Sequence, residues 1–318
     1  MNEESSGDRL AVMPTKDLTE VADALARIAA ALERMAPPRR EAPDFARHLA
    51  ARWRVTGGAR YLEAVRHVHH VDADWLVGVA EQCARIDGNT RQFIAGRRAN
   101  NVLLTGSRGT GKSSLVKAML SRYAQRGLRL IEVEKEHLND LPDIVDQIAS
   151  DPHRFILFCD DLSFDQGDGS YKALKAILDG SIAAATPNVL IYATSNRRHL
   201  LPEYFHENAE TRHVGDEVHF GESVEEKVSL SERFGLWISF YPFSQDEYLH
   251  AVHSWVPLLG GRAPQSARQR EAFERDALNW ALQRGSRSGR VAYQFACDYA
   301  GRTAKAPPRP RATRRSAT

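Results

Sequence analysis

The sequence predicts an α/β fold in which a parallel sheet is preceded by a helical region and followed by another. Three observations predict it. From residue 100 onward, short apolar runs alternate with helical patterns, as buried parallel strands joined by crossover helices require. The run at 101–105 passes through a glycine-rich octet, residues 106–113, directly into the helix-like stretch 114–120. Beyond Pro242 the strand pattern stops and helical spacing takes over.

Taken in order, residues 1–16 are polar and unpatterned and are expected to be disordered. Leu18, Val21, Leu25, Ile28, Leu32 and Met35 then form a heptad seam, opened by Asp17 with Glu20 three residues later. Ala22, Ala24, Ala29 and Ala31 flank it, so close packing is favoured and no charge pairs set a register. The seam is under three heptads. It serves either to dock on its own or a neighbouring subunit, or to self-associate or bind a client. Pro37 and Pro38 end it. Residues 17–74 are expected to form a helical N-terminal region, with helix running on to about residue 98 and Trp53 and Trp75 as core anchors. His67, His69 and His70 near Asp72 and Asp74 do not make a metal-ligand pattern and read as a solvated helix end. Strands are expected at 102–105, 130–133, 155–160, 189–194 and 236–240 in an α/β domain spanning 75–242. Residues 203–230 are polar and poorly patterned, a mobile insertion. A helical lid is expected over 243–300, with a capping box at Ser244 and Glu247 and helices at 270–284 and 290–299. Residues 301–318 carry six basic residues and three prolines with no acid, a disordered basic tail.

Composition sets bounds. At 318 residues, 42% hydrophobic and 26% charged, the chain is an ordinary soluble protein of two or three domains. A formal net charge of +2 makes no global case for nucleic acid. Cys83, Cys159 and Cys297 are odd in number and scattered, as buried thiols of a reducing compartment are. No apolar run is long enough to cross a bilayer, and the acidic start is not a signal peptide, so the cytoplasm is the expected location with no membrane partner.

The octet Gly106, Ser107, Arg108, Gly109, Thr110, Gly111, Lys112, Ser113 is G-x-x-x-x-G-K-S between a strand and a helix. Its glycines let the backbone fold tightly, so that successive N–H groups point at anionic oxygens. The following helix, entered at Ser114, offers its positive dipole end. Lys112 reaches the terminal phosphates, and the Ser113 hydroxyl ligates Mg2+. The chain is read as binding a nucleoside triphosphate.

Four further segments complete a catalytic set. An apolar strand ends in Asp160 and Asp161: the first suits Mg2+ and the second the attacking water. A second strand ends at Asn196, able to fix that water or sense the γ-phosphate. Arg233, just before the last strand, could reach a neighbouring subunit's γ-phosphate, or simply pair with Glu232. Arg287, at the start of the final helix, could couple a lid to the phosphates. Arg290 competes for that role.

Residues 75–302 resemble the AAA+ ATPases, and within them a bacterial family catalogued as domain of unknown function 815. The matching stretches include Asn100 to Leu104, Gly109 to Lys117, Arg154 to Ser163, Ala193 to Glu203 and Ser231 to Trp237. The resemblance implies a P-loop NTPase five-stranded parallel sheet in the order 5-1-4-3-2, a C-terminal helical lid, ATP and Mg2+ as ligands, and assembly into a homo-oligomeric ring. It implies Walker A roles for Lys112 and Ser113, Walker B roles for Asp160 and Asp161, sensor 1 for Asn196, arginine finger for Arg233 and sensor 2 for Arg287. Val77 and Gly78 match the segment that cups adenine. Two departures stand out. Asp161 replaces the usual Glu, one methylene shorter, and no aromatic–apolar–Gly pore loop occurs within 134–150, which weighs against a threading unfoldase.

The leading expectation is therefore an ATP-hydrolysing AAA+ protein that remodels or assembles an unknown protein client. Alternatives are a nucleotide-gated binding module with little hydrolysis, or a DNA-acting loader, for which the basic tail and Arg197-Arg198 speak and the near-zero net charge does not. A small-metabolite P-loop kinase shares the same cradle. No N-K-x-D guanine motif and no L-S-G-G-Q transporter motif occurs.

Overall fold

A computed structural model describes residues 15–35, 42–164, 174–175, 177–178, 186–196, 212–214, 217–219 and 231–303. The chain divides into two compact units, Met1–Glu41 and Ala42–Thr318. The first holds helix α1 (Thr15–Met35). It begins two residues before the expected cap, so Asp17 falls in its first turn. Of the seam, Val21, Leu25 and Ile28 are exposed.

The second unit opens with an element the sequence reading missed. Residues 43–72 are not helical: β1 (Ala50–Thr56) and β2 (Ala59–Ala64) form an antiparallel hairpin. Gly57 and Gly58, at φ 58° and 81°, make the two-residue turn between Thr56 and its partner Ala59. Left-handed backbone at both central positions is the turn that matches strand twist, and glycine adopts it without strain. In β1, Ala51 and Trp53 point inward while Arg52 and Arg54 point out to pair with Glu132 and with Glu63 and Glu134. That alternation of period two covers too few inward residues to stand out from a helical pattern in the sequence. Trp53 is the expected core anchor, fully buried with its Nε1–H donated to Asp140 at 2.9 Å. Trp75 is not: it is 39% exposed, in a single 3-10 turn.

The sheet follows from α2 (Ala80–Ile94), β3 (Val102–Gly106), α3 (Lys112–Tyr123), β4 (Leu128–Glu132), α4 (Leu141–Ile148), β5 (Arg154–Cys159) and β6 (Val189–Ser195). A two-stranded ladder, β7 (Arg212–Val214) with β8 (Glu217–His219), is separate, and β9 (Leu236–Phe240) closes the sheet. The expected insertion at 203–230 otherwise lies outside the described residues, as do 1–14 and 304–318 of the expected disordered termini. The seven strands run β2-β1-β4-β5-β6-β3-β9. Numbered among themselves, the five central strands β3, β4, β5, β6 and β9 are parallel and stand in the order 5-1-4-3-2. The hairpin adds two strands beyond the expected five, with β1 running parallel to β4.

Strands β3, β5 and β6 are apolar on both faces because both faces are covered. Leu103, Phe155, Leu157 and Ile191 pack on one side with Leu141, Ile144 and Ile148 of α4. Leu104, Ile156, Phe158 and Tyr192 pack on the other with Leu115 and Met119 of α3 and Ile86 and Phe93 of α2. Each fully buried Phe or Leu contributes about 1.5–3 kcal/mol.

The lid consists of α5 (Gln245–Leu258), α6 (Ala267–Gln283) and α7 (Gly289–Thr303). Ser244 and Glu247 form the expected capping box, and Ser266 with Gln269 forms a second. Ala251, Ala277, Ala292 and Ala296 let these helices approach closely around Tyr248, Phe273 and Phe295. A leucine at Ala292, which is fully buried, would overpack that seam by about 1–3 kcal/mol.

Candidate functional site

Parallel pairing sets the site's position. Thr105 stands beside Ser195 and Gly106 beside Phe240, so the loops leaving β3, β5 and β6 emerge together at the carboxyl edge of the sheet. The loop after β3 is pinned by its glycines. Gly106, Gly109 and Gly111 have φ of 132°, 79° and 98°. A Cβ on Gly106 would lie 2.0 Å from the Phe240 carbonyl oxygen, so this position is closed to any side chain. Thr110 Oγ1 donates to the Ser107 carbonyl at 2.8 Å and braces the turn. Helix α3 starts at Lys112 with no side-chain cap, leaving its first N–H groups to an anionic ligand.

Lys112 is buried, with Nζ donating to the Gly106 and Ser107 carbonyls at 2.6 and 2.8 Å and to Asn196 Oδ1 at 3.0 Å. Burial lowers its pKa from the ordinary lysine value; Asp161 and Asp160 oppose that, and the neighbouring cations Arg108 and Arg290 add to it. Ser113 Oγ donates to Asp160 Oδ1 at 2.6 Å. Thr194 Oγ1 donates to the same oxygen at 2.6 Å and accepts the Asp161 N–H at 2.8 Å. Asp161 is the one non-glycine with positive φ among the described residues, 54°. Its Oδ1 accepts from Asn196 Nδ2, and its Oδ2 lies 3.5 Å from Arg108 Nη2. These groups line a hollow of about 280 Å³ that also includes Gly109 and Arg290.

A larger hollow of about 480 Å³ shares Gly109 and Arg290 with it and is walled by Val77, Thr110, Gly111, Ser114 and Phe243, and by Trp75, Trp255 and Tyr293. Gly78, at φ 77°, sits so that a Cβ would press on the Phe243 ring at 3.3 Å. The Trp75 and Trp255 ring centroids are 6.2 Å apart, and those of Trp255 and Tyr293 5.0 Å. An apolar, aromatic hollow of this size beside an anion cradle suits a planar base. His69 and His70 also line it, in an irregular segment and not at a helix end.

Two expected residues stand apart. Arg287 precedes α7 and lines a different hollow with Ser107 and Leu282; its carbonyl accepts from the Phe243 N–H at 3.2 Å. Arg290 is the lid cation in the hollow of Lys112, and its N–H donates to the Gly109 carbonyl at 3.1 Å. The helix starts at Gly289, which puts Arg290 in its first turn against the Gly109 carbonyl, whereas Arg287 lies in the connection before it. Arg233 lies before β9, whose first residue Leu236 pairs with Val102, whereas Gly106 pairs with Phe240 at the other end. The length of the strand, about 13 Å, separates it from its own loop.

Thr194 and the aromatic wall of the larger hollow have no motif in the sequence, whereas Arg290 is the alternative to Arg287 that the sequence offers. The signal for Thr194 was a hydroxyl at the tip of an otherwise apolar strand, two residues before Asn196.

A central parallel sheet in the order 5-1-4-3-2, a G-x-x-x-x-G-K-S loop at its carboxyl edge and a C-terminal helical lid define a P-loop fold of the AAA+ type. The chain belongs to the family described as "Protein of unknown function (DUF815)", whose match spans residues 46–303. No curated protein matches it. Among solved structures it is similar to the Thermotoga maritima RuvB Holliday junction branch migration motor, at 14% identity and TM-score 0.37, covering 72% of this chain and 71% of that one. It is also similar to a chain of the E. coli MS115-1 HORMA:CdnC:Trip13 complex, at 15% identity and TM-score 0.43, covering 74% of this chain and 91% of that one.

Proposed function

We propose that this chain binds ATP with Mg2+ and hydrolyses it within a homo-oligomeric ring, coupling turnover to remodelling or assembly of a protein client. The observation that carries the reading is the convergence of Lys112, Ser113, Asp160, Asp161 and Asn196 on one small hollow at the mouth of the glycine loop. Loop N–H groups and Lys112 hold the phosphates, and the aromatic hollow beside Val77 and Gly78 takes the base. Ser113 Oγ and Asp160 Oδ1 are hard oxygens 2.6 Å apart, a donor set that fits Mg2+, which takes one or two protein oxygens and completes its shell from phosphate and water. Bound there, Mg2+ would offset phosphate charge. Thr194 holds Asp160 for this and orients the Asp161 backbone. Asp161 accepts a proton from the attacking water and Asn196 positions it. Arg290 contributes charge from the lid, and Arg233 acts on a neighbour's ATP.

Phosphate release by the full chain tests the reading. Wild type releases phosphate from Mg-ATP, Lys112→Ala loses ATP affinity or turnover, and Asp161→Asn keeps ATP but loses turnover. Wild-type rates in Lys112→Ala refute it. A second reading, a nucleotide-gated binding module, is favoured by one observation: both Asp161 oxygens are already engaged, by Asn196 and Arg108. ATP binding without phosphate release decides for it.

A further inference from the structure

Arg108 belongs to the glycine loop, yet its side chain does not follow the loop's own carbonyls. Its guanidinium reaches across the 280 Å³ hollow to Asp161 Oδ2, at 3.5 Å. Lys112 reaches the same end from the other side, through Asn196 Oδ1 at 3.0 Å. Asn196 in turn donates to Asp161. The result is a chain of contacts, Lys112 to Asn196 to Asp161 to Arg108, along the hollow in which the terminal phosphate of a bound triphosphate would lie. Arg108 is thus parked on the carboxylate that the proposed reaction needs free, and Lys112 on the amide that holds it.

We propose that Arg108 is a discriminating residue for the γ-phosphate: on ATP binding its guanidinium leaves Asp161 for the terminal phosphate, which both recognises the triphosphate and releases the carboxylate. The inference rests on the nucleotide-binding reading above and goes beyond it, since loop membership alone assigns Arg108 only a backbone role.

Three physical points carry it. The Arg108 side chain is 75% exposed and the Asp161 side chain 53%, so their ion pair is of the weak, solvent-screened kind. A planar guanidinium on a phosphate makes parallel charge-assisted hydrogen bonds, which are stronger, so the exchange runs toward the phosphate. Position supplies the selectivity. In the proposed pose the γ-phosphate lies by Asp161 and Asn196 and the β-phosphate against the loop N–H groups at the uncapped start of α3. A diphosphate therefore offers Arg108 no oxygen in reach, and the guanidinium stays on Asp161.

The test is calorimetric titration of the full chain with a non-hydrolysable ATP analogue and with ADP, each with Mg2+. Arg108→Ala is expected to lose about tenfold or more in affinity for the triphosphate, the size of a charge-assisted contact, and less than about threefold for ADP. Arg108→Lys is expected to recover part of the loss. Replacing Asp161 by Asn removes the resting partner, so it should raise triphosphate affinity more in the Arg108 background than in Arg108→Ala, a coupling a double-mutant cycle reads directly. Equal losses for both nucleotides would mean a general electrostatic or structural role, and no loss for either would leave only a surface ion pair; both overturn the proposal. If wild type prefers the triphosphate and Arg108→Ala keeps that preference, the inference fails while the nucleotide-binding reading stands. If wild type binds neither nucleotide, the reading of the site fails and takes the inference with it.

Discussion

Replacing Thr194 by Val is the perturbation that best separates a built site from a chance grouping of polar residues. Valine matches the shape of threonine, and residue 194 is 1% exposed, so packing is preserved and only the hydroxyl is lost. Two hydrogen bonds go with it. The Asp161 N–H loses its acceptor at 2.8 Å, and Asp160 Oδ1 loses one of two hydroxyl donors, each at 2.6 Å. An unsatisfied, partly buried N–H costs about 1–3 kcal/mol, and a hydrogen bond to a carboxylate contributes about 1.5–3 kcal/mol, of which Ser113 retains part. The left-handed backbone at Asp161 stores about 1–2 kcal/mol that the Thr194 contact now offsets, and relaxing it returns some stability. The balance is a loss of about 2–3 kcal/mol, or roughly 4–12 °C in melting temperature for a domain of this size. Because the relaxation turns the Asp161 carboxylate away from the hollow, turnover should fall by more than the stability loss explains. Urea midpoints and phosphate release on the same samples measure both, with Thr194→Ser, which keeps the hydroxyl, as the control. If Thr194→Val matches wild type in midpoint and turnover, or Thr194→Ser fails equally, the hydroxyl does not organise the two aspartates and the reasoning is wrong.

Further outcomes follow from the same geometry. Arg233→Ala should bind ATP nearly as wild type yet turn over far more slowly, specific activity should rise with protein concentration, and mixing Arg233→Ala with Lys112→Ala should restore part of the activity; concentration-independent activity without complementation would mean that Arg233 serves no neighbour. Arg290→Ala should weaken ATP binding by about tenfold while Arg287→Ala changes it by less than about twofold, and the reverse order in a nucleotide titration would reinstate Arg287 as the lid cation. Among the cysteines, Cys297 is exposed and Cys83 half-buried, while burial pushes the Cys159 thiol up to about 12. Alkylation at pH 8 followed by mass spectrometry should therefore mark Cys297 first and Cys159 only after unfolding, because the thiolate is the reactive form. Early labelling of Cys159 would contradict its place in β5.

How much of this was legible in the sequence depends on the range of the interaction. The strand–loop–helix of residues 102–123, the five central strands and the Ser244 box were all readable, because each is specified by contiguous residues: apolar runs, glycines at fixed offsets, a cap three residues from its partner. The order 5-1-4-3-2 came through the resemblance those local motifs carry. The hairpin at Ala50–Ala64 was also local, with Gly57 and Gly58 as its turn signal, but its inward face is only a few residues long and its strands gain their stability from pairing beside β4.

What only the tertiary structure decided are relations between distant segments. Gly106 is closed to side chains by the carbonyl of Phe240, 134 positions later in the chain. Thr194 matters because parallel register sets the tip of β6 against the loop after β5. Arg290 rather than Arg287 shares a hollow with Lys112 because α7 begins at Gly289 and its first turn docks on the Gly109 carbonyl. Trp75, expected in a core, instead packs edge-on against Trp255 in the wall of the larger hollow. Local backbone preference and solvation act along the chain and are written in its order, whereas a site is a set of distances, and those arise only when the sheet brings strand ends together.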